Sequence, residues 1–258
     1  MSLSQDFEAL GLRQGDMVLM HSSFKSLGPV AGGIGSLISE LFNVLTHRGT
    51  LIIPTLSYAY VPEENPVFDV RKTHSCIGAV PEFFRHLPGV FRSLSPTHSA
   101  AALGRLAQEV TQGHLLDETP VGPHSPFRRL AEAGGNLLFL GCGLEPNTSI
   151  HGVEELVEAP YLFLQGSFPF TVIDEEGRCR DINCRRHSFR QGNLVYGQRY
   201  ERVLELLDPK DKSNGRVGQA DCWLLDARAV WEQAEIALRK DALSLVEPGY
   251  AQDSDQLA

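Results

Sequence analysis

Residues 16–55, DMVLMHSSFKSLGPVAGGIGSLISELFNVLTHRGTLIIPT, decide the fold. A short apolar run, MVLM, opens the stretch and another, LIIP, closes it. Between them Leu37, Ile38, Leu41, Val44 and Leu45 fall at i, i+1, i+4, i+7 and i+8. That spacing puts the apolar side chains on one stripe of an α-helix, and Gly49 supplies a stop before the next strand. Strand, helix and strand in this order form a βαβ unit. Its parallel strands are buried on both faces, so they read as continuous apolar runs instead of alternating ones.

The same pattern extends outward. Residues 4–12 have apolar positions at helical spacing and end at Gly11, and NLLFLG (136–141) is a further buried strand that follows the helical SPFRRLAEAGG. Ser125-Pro126 opens that helix in the manner of an N-cap with proline at the first position. Residues 57–78 are too rich in proline and polar side chains, and too long, for an ordinary connector. After residue 160, two β-like runs flank an Asp-Glu-Glu-Gly turn and predict a hairpin, and 198–208 and 226–240 read as amphipathic helices. The expected fold class is α/β: a mixed central β-sheet flanked by helices, with βαβ units and a C-terminal hairpin-containing portion. No repeat or linker divides the chain, so residues 1–258 are expected to be one domain, with a frayed tail at about 250–258.

Composition narrows the function. Apolar residues make up 42% and charged residues 21% of the 258, an ordinary globular balance. The formal net charge of −9 argues against nucleic acid and favours cationic ligands. No apolar run approaches the roughly 20 residues of a membrane span, which leaves the cytoplasm as the expected location. Five scattered cysteines are expected to stay reduced. Cys179, Cys184 and His187 do not form a metal set, because CRDINCRRH reads as a strand that sends the two cysteines to opposite faces. There is no GxSxG elbow and no cysteine in a reactive setting, so a covalent enzyme intermediate is disfavoured.

Four segments carry chemistry. In LFLGCGLEPNTSIHGVEEL (138–156), His151 and Glu154 stand three apart, so on a helix both project from one face. A carboxylate beside an imidazole suits a general base, whereas the plainer reading makes Glu154 and Glu155 helix-dipole partners and Asn147, Thr148 or Ser149 a cap. A metal would need another convergent ligand, which the local sequence does not supply. HSSFKSLGPVAGG (21–33) joins a strand to a helix, where glycines and free N–H groups attract anions, yet it matches neither a Walker A loop nor GxGxxG. RSLSPTHSAAALG (92–104) offers Thr97, His98 and Ser99 either to an oxyanion or to the loop backbone. In LLDETPVGPHSPFRRL (115–130), Asp117 and Glu118 are candidates to receive a cationic substrate.

Taken in order, these segments, with GTLIIPTLSY, PVFD and RVGQAD, resemble the aminoglycoside N3-acetyltransferase family, which is unrelated in fold to the GNAT superfamily. The resemblance implies direct acetyl transfer from acetyl-CoA to an amine, with no metal. In it His151 is the general base, Glu154 orients the ring, and Thr97 is the candidate oxyanion donor. CoA falls to His21, Ser22, Ser23, Lys25, Gly32, Gly33 and Ser99, and the amine substrate to Asp117, Glu118 and His98. A homodimer is left open. The family often has histidine where this chain has Ser95, and DETPVGPHSP is plainer than in drug-modifying members, so a biosynthetic amino sugar is as good an acceptor as an antibiotic. The same departures keep open a non-catalytic CoA- or sugar-binding protein, and His151, Glu154 and Glu155 keep open a metal-dependent hydrolase.

Overall fold

A computed structural model describes residues 2–250; the expected frayed tail, beyond residue 250, lies outside the described residues. Helix α1 (Leu3–Leu10) is closed at its start by a capping box between Ser2 and Gln5. Then come β1 (Met17–Ser22), α2 (Gly33–Leu45) and β2 (Thr50–Pro54), with β1 and β2 parallel. The long polar region contributes β3 (Val67–Asp69), α3 (Ala79–Phe84) and β4 (Phe91–Arg92), ahead of β5 (Ala100–Gly104) and α4 (Ala107–Thr111). Next are α5 (Pro126–Glu132), where Ser125 accepts from the Arg128 amide as an N-cap, β6 (Asn136–Leu140) and α6 (Ile150–Leu156). The remainder is the hairpin β7 (Phe168–Ile173) and β8 (Cys179–Cys184), then β9 (Arg190–Gln191), β10 (Leu194–Gln198), β11 (Lys212–Val217), β12 (Ala220–Asp226), α7 (Ala227–Lys240) and β13 (Val246–Tyr250).

The main sheet has seven strands in the order β11-β12-β6-β1-β2-β5-β4. Its centre, β6-β1-β2, is parallel, and β12 and β5 pair antiparallel to it on either side. The sheet is therefore mixed, and helices cover both faces. Along β1, Leu19 joins one core while Val18 and Met20 join the other; along β6, Leu137 and Phe139 alternate in the same way with Leu138 and Leu140. Burial on both faces is the reason these strands read as unbroken apolar runs.

Three details differ from expectation. The hairpin forms its own small sheet with β3, which pairs parallel to β7, so the polar region is stitched to the C-terminal part. Residues 198–208 do not form an amphipathic α-helix: Gln198 ends β10, and only a 3-10 turn follows at Tyr200–Glu205, because Tyr200 and Val203 are drawn fully into the core. Helix α2 ends at Leu45, four residues before Gly49, through Thr46 at φ 58°.

Gly104 ends β5 at φ 116°, and a Cβ there would lie 2.3 Å from the Gly49 carbonyl oxygen. Gly177, in the β7–β8 turn, also has positive φ but faces open space. Urea unfolding should show Gly104→Ala losing about 2–4 kcal/mol through backbone clash, and Gly177→Ala only about 1 kcal/mol from its left-handed backbone.

Candidate active site

The parallel strands β6, β1 and β2 all end on the same side of the sheet, and ligands in open α/β sheets bind beyond such ends. A cavity of about 490 Å³ lies there, walled by His21 and Ser22 at the end of β1, Pro54 at the end of β2 and Cys142 just after β6. Thr97, His98, His151, His187 and Phe189 complete its polar and aromatic side.

Helix α6 presents His151. No side chain caps this helix: Ser149 instead accepts from Trp231 Nε1 of α7 at 2.7 Å, so the capping reading of residues 147–149 does not hold. Gly152 lets α6 lie against α7, since a Cβ there would fall 2.5 Å from the Trp231 ring. His151 Nδ1 sits 3.0 Å from Glu154 Oε2. A carboxylate only accepts, so Nδ1 is the donor in this contact and Nε2 is the ring nitrogen left over. Glu154 is fully buried, and two tyrosines satisfy it: Tyr161 donates to Oε1 and Tyr200 to Oε2, each at 2.9 Å. Burial, reinforced by the Glu154 charge, raises both phenols above their ordinary value, so they remain donors.

A second histidine–carboxylate pair stands beside the first. His187 Nε2 lies 2.7 Å from Glu155 Oε1, which also accepts from the Val121 amide, so His187 donates, and among the described residues its Nδ1 has no partner. Burial pushes Glu155 up to about 7. His98 Nδ1 meets the Thr97 hydroxyl at 2.9 Å, and the Ser95 hydroxyl accepts from the His98 amide. The His98, His151 and His187 rings pack edge to face, with centroids 4.7–5.9 Å apart. Phe189 packs on His151 from a left-handed backbone, φ 53°, strain of the kind stored at functional sites.

The profile of the family described as "Aminoglycoside 3-N-acetyltransferase" matches residues 19–239. The chain belongs to the aminoglycoside 3-N-acetyltransferase family. It is 34% identical over 253 residues to "Aminoglycoside N(3)-acetyltransferase VII" of Streptomyces paromomycinus, covering 88% of this chain and 87% of that one. Against the solved structure "AAC-IIIb binary with CoASH", the TM-score is 0.78 at 28% identity, covering 92% of this chain and 95% of that one. Against aminoglycoside acetyltransferase AAC(3)-IVa in complex with a gentamicin it is 0.77 at 28% identity, covering 94% and 89%. By class the chain is an N-acetyltransferase.

Within this N-acetyltransferase, not every residue singled out from sequence reaches the cavity. Ser99 is wholly buried; its hydroxyl donates to the Thr55 carbonyl and accepts from Arg92 Nε, so it is free for neither CoA nor an oxyanion. Asp117 is also corrected: its buried carboxylate accepts from the amide and ring of His124 and closes a turn. Glu118 is exposed away from the cavity, whose own carboxylate lining is Glu145. Ser23 is tied by its amide to the Leu140 carbonyl, and Lys25, Gly32 and Gly33 lie outside the cavity lining. Sequence reading missed Tyr161, Tyr200, Phe189 and the His187–Glu155 pair. Tyr161, seven residues past Glu154, left a weak local signal; Tyr200 left none.

Burial holds four histidines neutral: His21 is pushed down to about 3, His114 to about 4, and His98 and His187 well below 6.5. Depressed native values mean that the unfolded chain binds more protons below pH 6.5, so stability falls on acidification from there toward pH 4. Glu155, between 4.5 and about 7, and the Asp16 carboxyl, also raised by burial, work the other way but are outnumbered by the four histidines. Melting temperature should therefore drop from pH 7 to pH 4. His114→Gln should flatten that slope by about 1.4 kcal/mol per pH unit, and Glu155→Gln should steepen it.

Proposed function

We propose that the chain transfers the acetyl group of acetyl-CoA directly to an amino group of an aminoglycoside or related amino sugar. His151 is the general base and Glu154 the residue that orients it. The observation that carries this reading is the 3.0 Å contact from Nδ1 to a buried carboxylate, on an imidazole whose other edge borders the cavity. Held in that tautomer, Nε2 takes a proton from the attacking amine, and Glu154 stabilises the resulting imidazolium, which returns that proton to the CoA thiolate released as the C–S bond breaks. Thr97, beside His98 in the same wall, is the candidate donor toward the developing oxyanion.

Acetyl-CoA supplies the activated acyl carbon. The residues present fit it: Met20, Pro54, Leu56, Ile77 and Pro81 give the cavity an apolar wall suited to a pantetheine arm, and His21 and Ser22 border it with polar groups. Lys25 and the Gly32–Gly33 start of α2 are left for the distant phosphates, where helix amides attract anions. The solved relative carrying CoASH supports this assignment. Glu145 at the cavity and the net charge of −9 favour a cationic acceptor, in keeping with the relative in complex with a gentamicin. Cys142 also lines the cavity, but burial pushes its thiol up to about 12, which keeps it a poor nucleophile and supports direct transfer.

Release of free thiol from acetyl-CoA, followed with a panel of aminoglycosides and amino sugars, tests the proposal. His151→Ala should lower kcat by about 100- to 10,000-fold, and Glu154→Gln by at least about 100-fold. Undiminished turnover in His151→Ala would reject the assigned base. Calorimetric CoA binding with no turnover across the panel would move the chain to the non-catalytic binding class.

A further inference from the structure

Each cavity-facing histidine has one ring nitrogen held from behind. His151 uses Nδ1 on Glu154, His187 uses Nε2 on Glu155, and His98 uses Nδ1 on the Thr97 hydroxyl. The second nitrogen of each is left over, and His187 Nδ1 is buried with no partner among the described residues. Among the described residues, these three side chains bring one ligand nitrogen apiece within 4.8 Å of one another. The sequence expectation of no metal rested on the lack of a convergent ligand near His151; the convergence comes from residues 53 and 36 positions away. We infer that His98, His151 and His187 form a binding site for a zinc-class divalent metal, with its fourth coordination position open to the cavity.

Three imidazoles, two of them backed by carboxylates, are the donor set and outer shell that such ions take. Metal–nitrogen bonds of about 2.1 Å in a tetrahedral site place the nitrogens about 3.4 Å apart, so the rings must close by roughly an ångström. A bound ion occupies His151 Nε2, the lone pair needed for proton abstraction. On the proposed function above, metal binding and acetyl transfer therefore exclude each other, and a chelator restores transfer.

The test is titration of chelator-stripped protein with Co²⁺, read by the visible absorbance of four-coordinate cobalt, with Zn²⁺ as competitor. One equivalent should bind. His98→Ala and His187→Ala should each weaken binding at least about 100-fold, and Glu155→Gln about 10-fold, with circular dichroism confirming the fold. His86→Ala, on the surface where His74 and His86 flank Glu82, should change nothing. Absence of binding, its survival in both alanine variants, or its loss in His86→Ala would overturn the site. Cobalt binding by protein that transfers no acetyl group even when stripped of metal keeps the metal site and sinks the proposed function; transfer by stripped protein that binds no cobalt does the reverse.

Discussion

A carboxylate with no solvent exposure holds the active side of this molecule together. Glu154 accepts from Tyr161, from Tyr200 and from the His151 ring, so both oxygens are met by strong donors. An unpaired charge in that position would cost several kcal/mol; satisfied by charge-assisted bonds, the network is stable and fixes the imidazole in one tautomer and one orientation. The donors come from widely separated parts of the chain. Tyr161 follows α6, and Tyr200 opens the 3-10 turn after β10, 46 residues from the carboxylate. The surroundings of His151 are therefore completed only when the C-terminal third has packed against α6.

A second constraint holds the opposite wall. Among the described residues Arg92 is buried without a carboxylate partner, and its guanidinium donates to the carbonyls of Thr55, Val70 and Thr73 and to the hydroxyls of Thr55 and Ser99. Burial, with the nearby Arg85 charge, pushes its pKa down to about 9. Those bonds fasten the polar region around β3 to the ends of β2 and β5, beside the turn that carries Thr97 and His98. A segment whose composition reads as loose is thus locked by one cation, and the wall of the cavity inherits that rigidity.

Sequence made the local features legible. The βαβ frame, the β7–β8 hairpin and the His151–Glu154 spacing each depend on residues within a few turns of one another, so periodicity exposes them. What it concealed depended on long-range burial. Tyr200 sits in a stretch with helical apolar spacing, but its ring is pulled into the core by Glu154 and the chain settles for a 3-10 turn. Ser99 and Asp117 have the chemistry of ligand-binding residues, and only tertiary structure reveals that Arg92 and His124 already use them. His187 stood in the sequence beside two cysteines, one of which is exposed and the other buried in a separate small sheet; its real neighbours are His98 and His151.

Phe189 shows how the last wall is set. Its left-handed backbone costs about 1–3 kcal/mol for a residue with a Cβ, and nothing in its side chain lowers that cost. The turn is held by its neighbours: the Tyr196 amide bonds the Phe189 carbonyl, and the Arg190 amide bonds the Tyr161 carbonyl. It brings the Phe189 ring onto His151 and Tyr161 while His187, two residues earlier, faces the same space. Tyr161 therefore serves twice, as a donor to Glu154 through its hydroxyl and as an anchor for this turn through its carbonyl. The orientation of the His151 ring and the shape of the cavity beside it are set through one residue, so neither can change without the other.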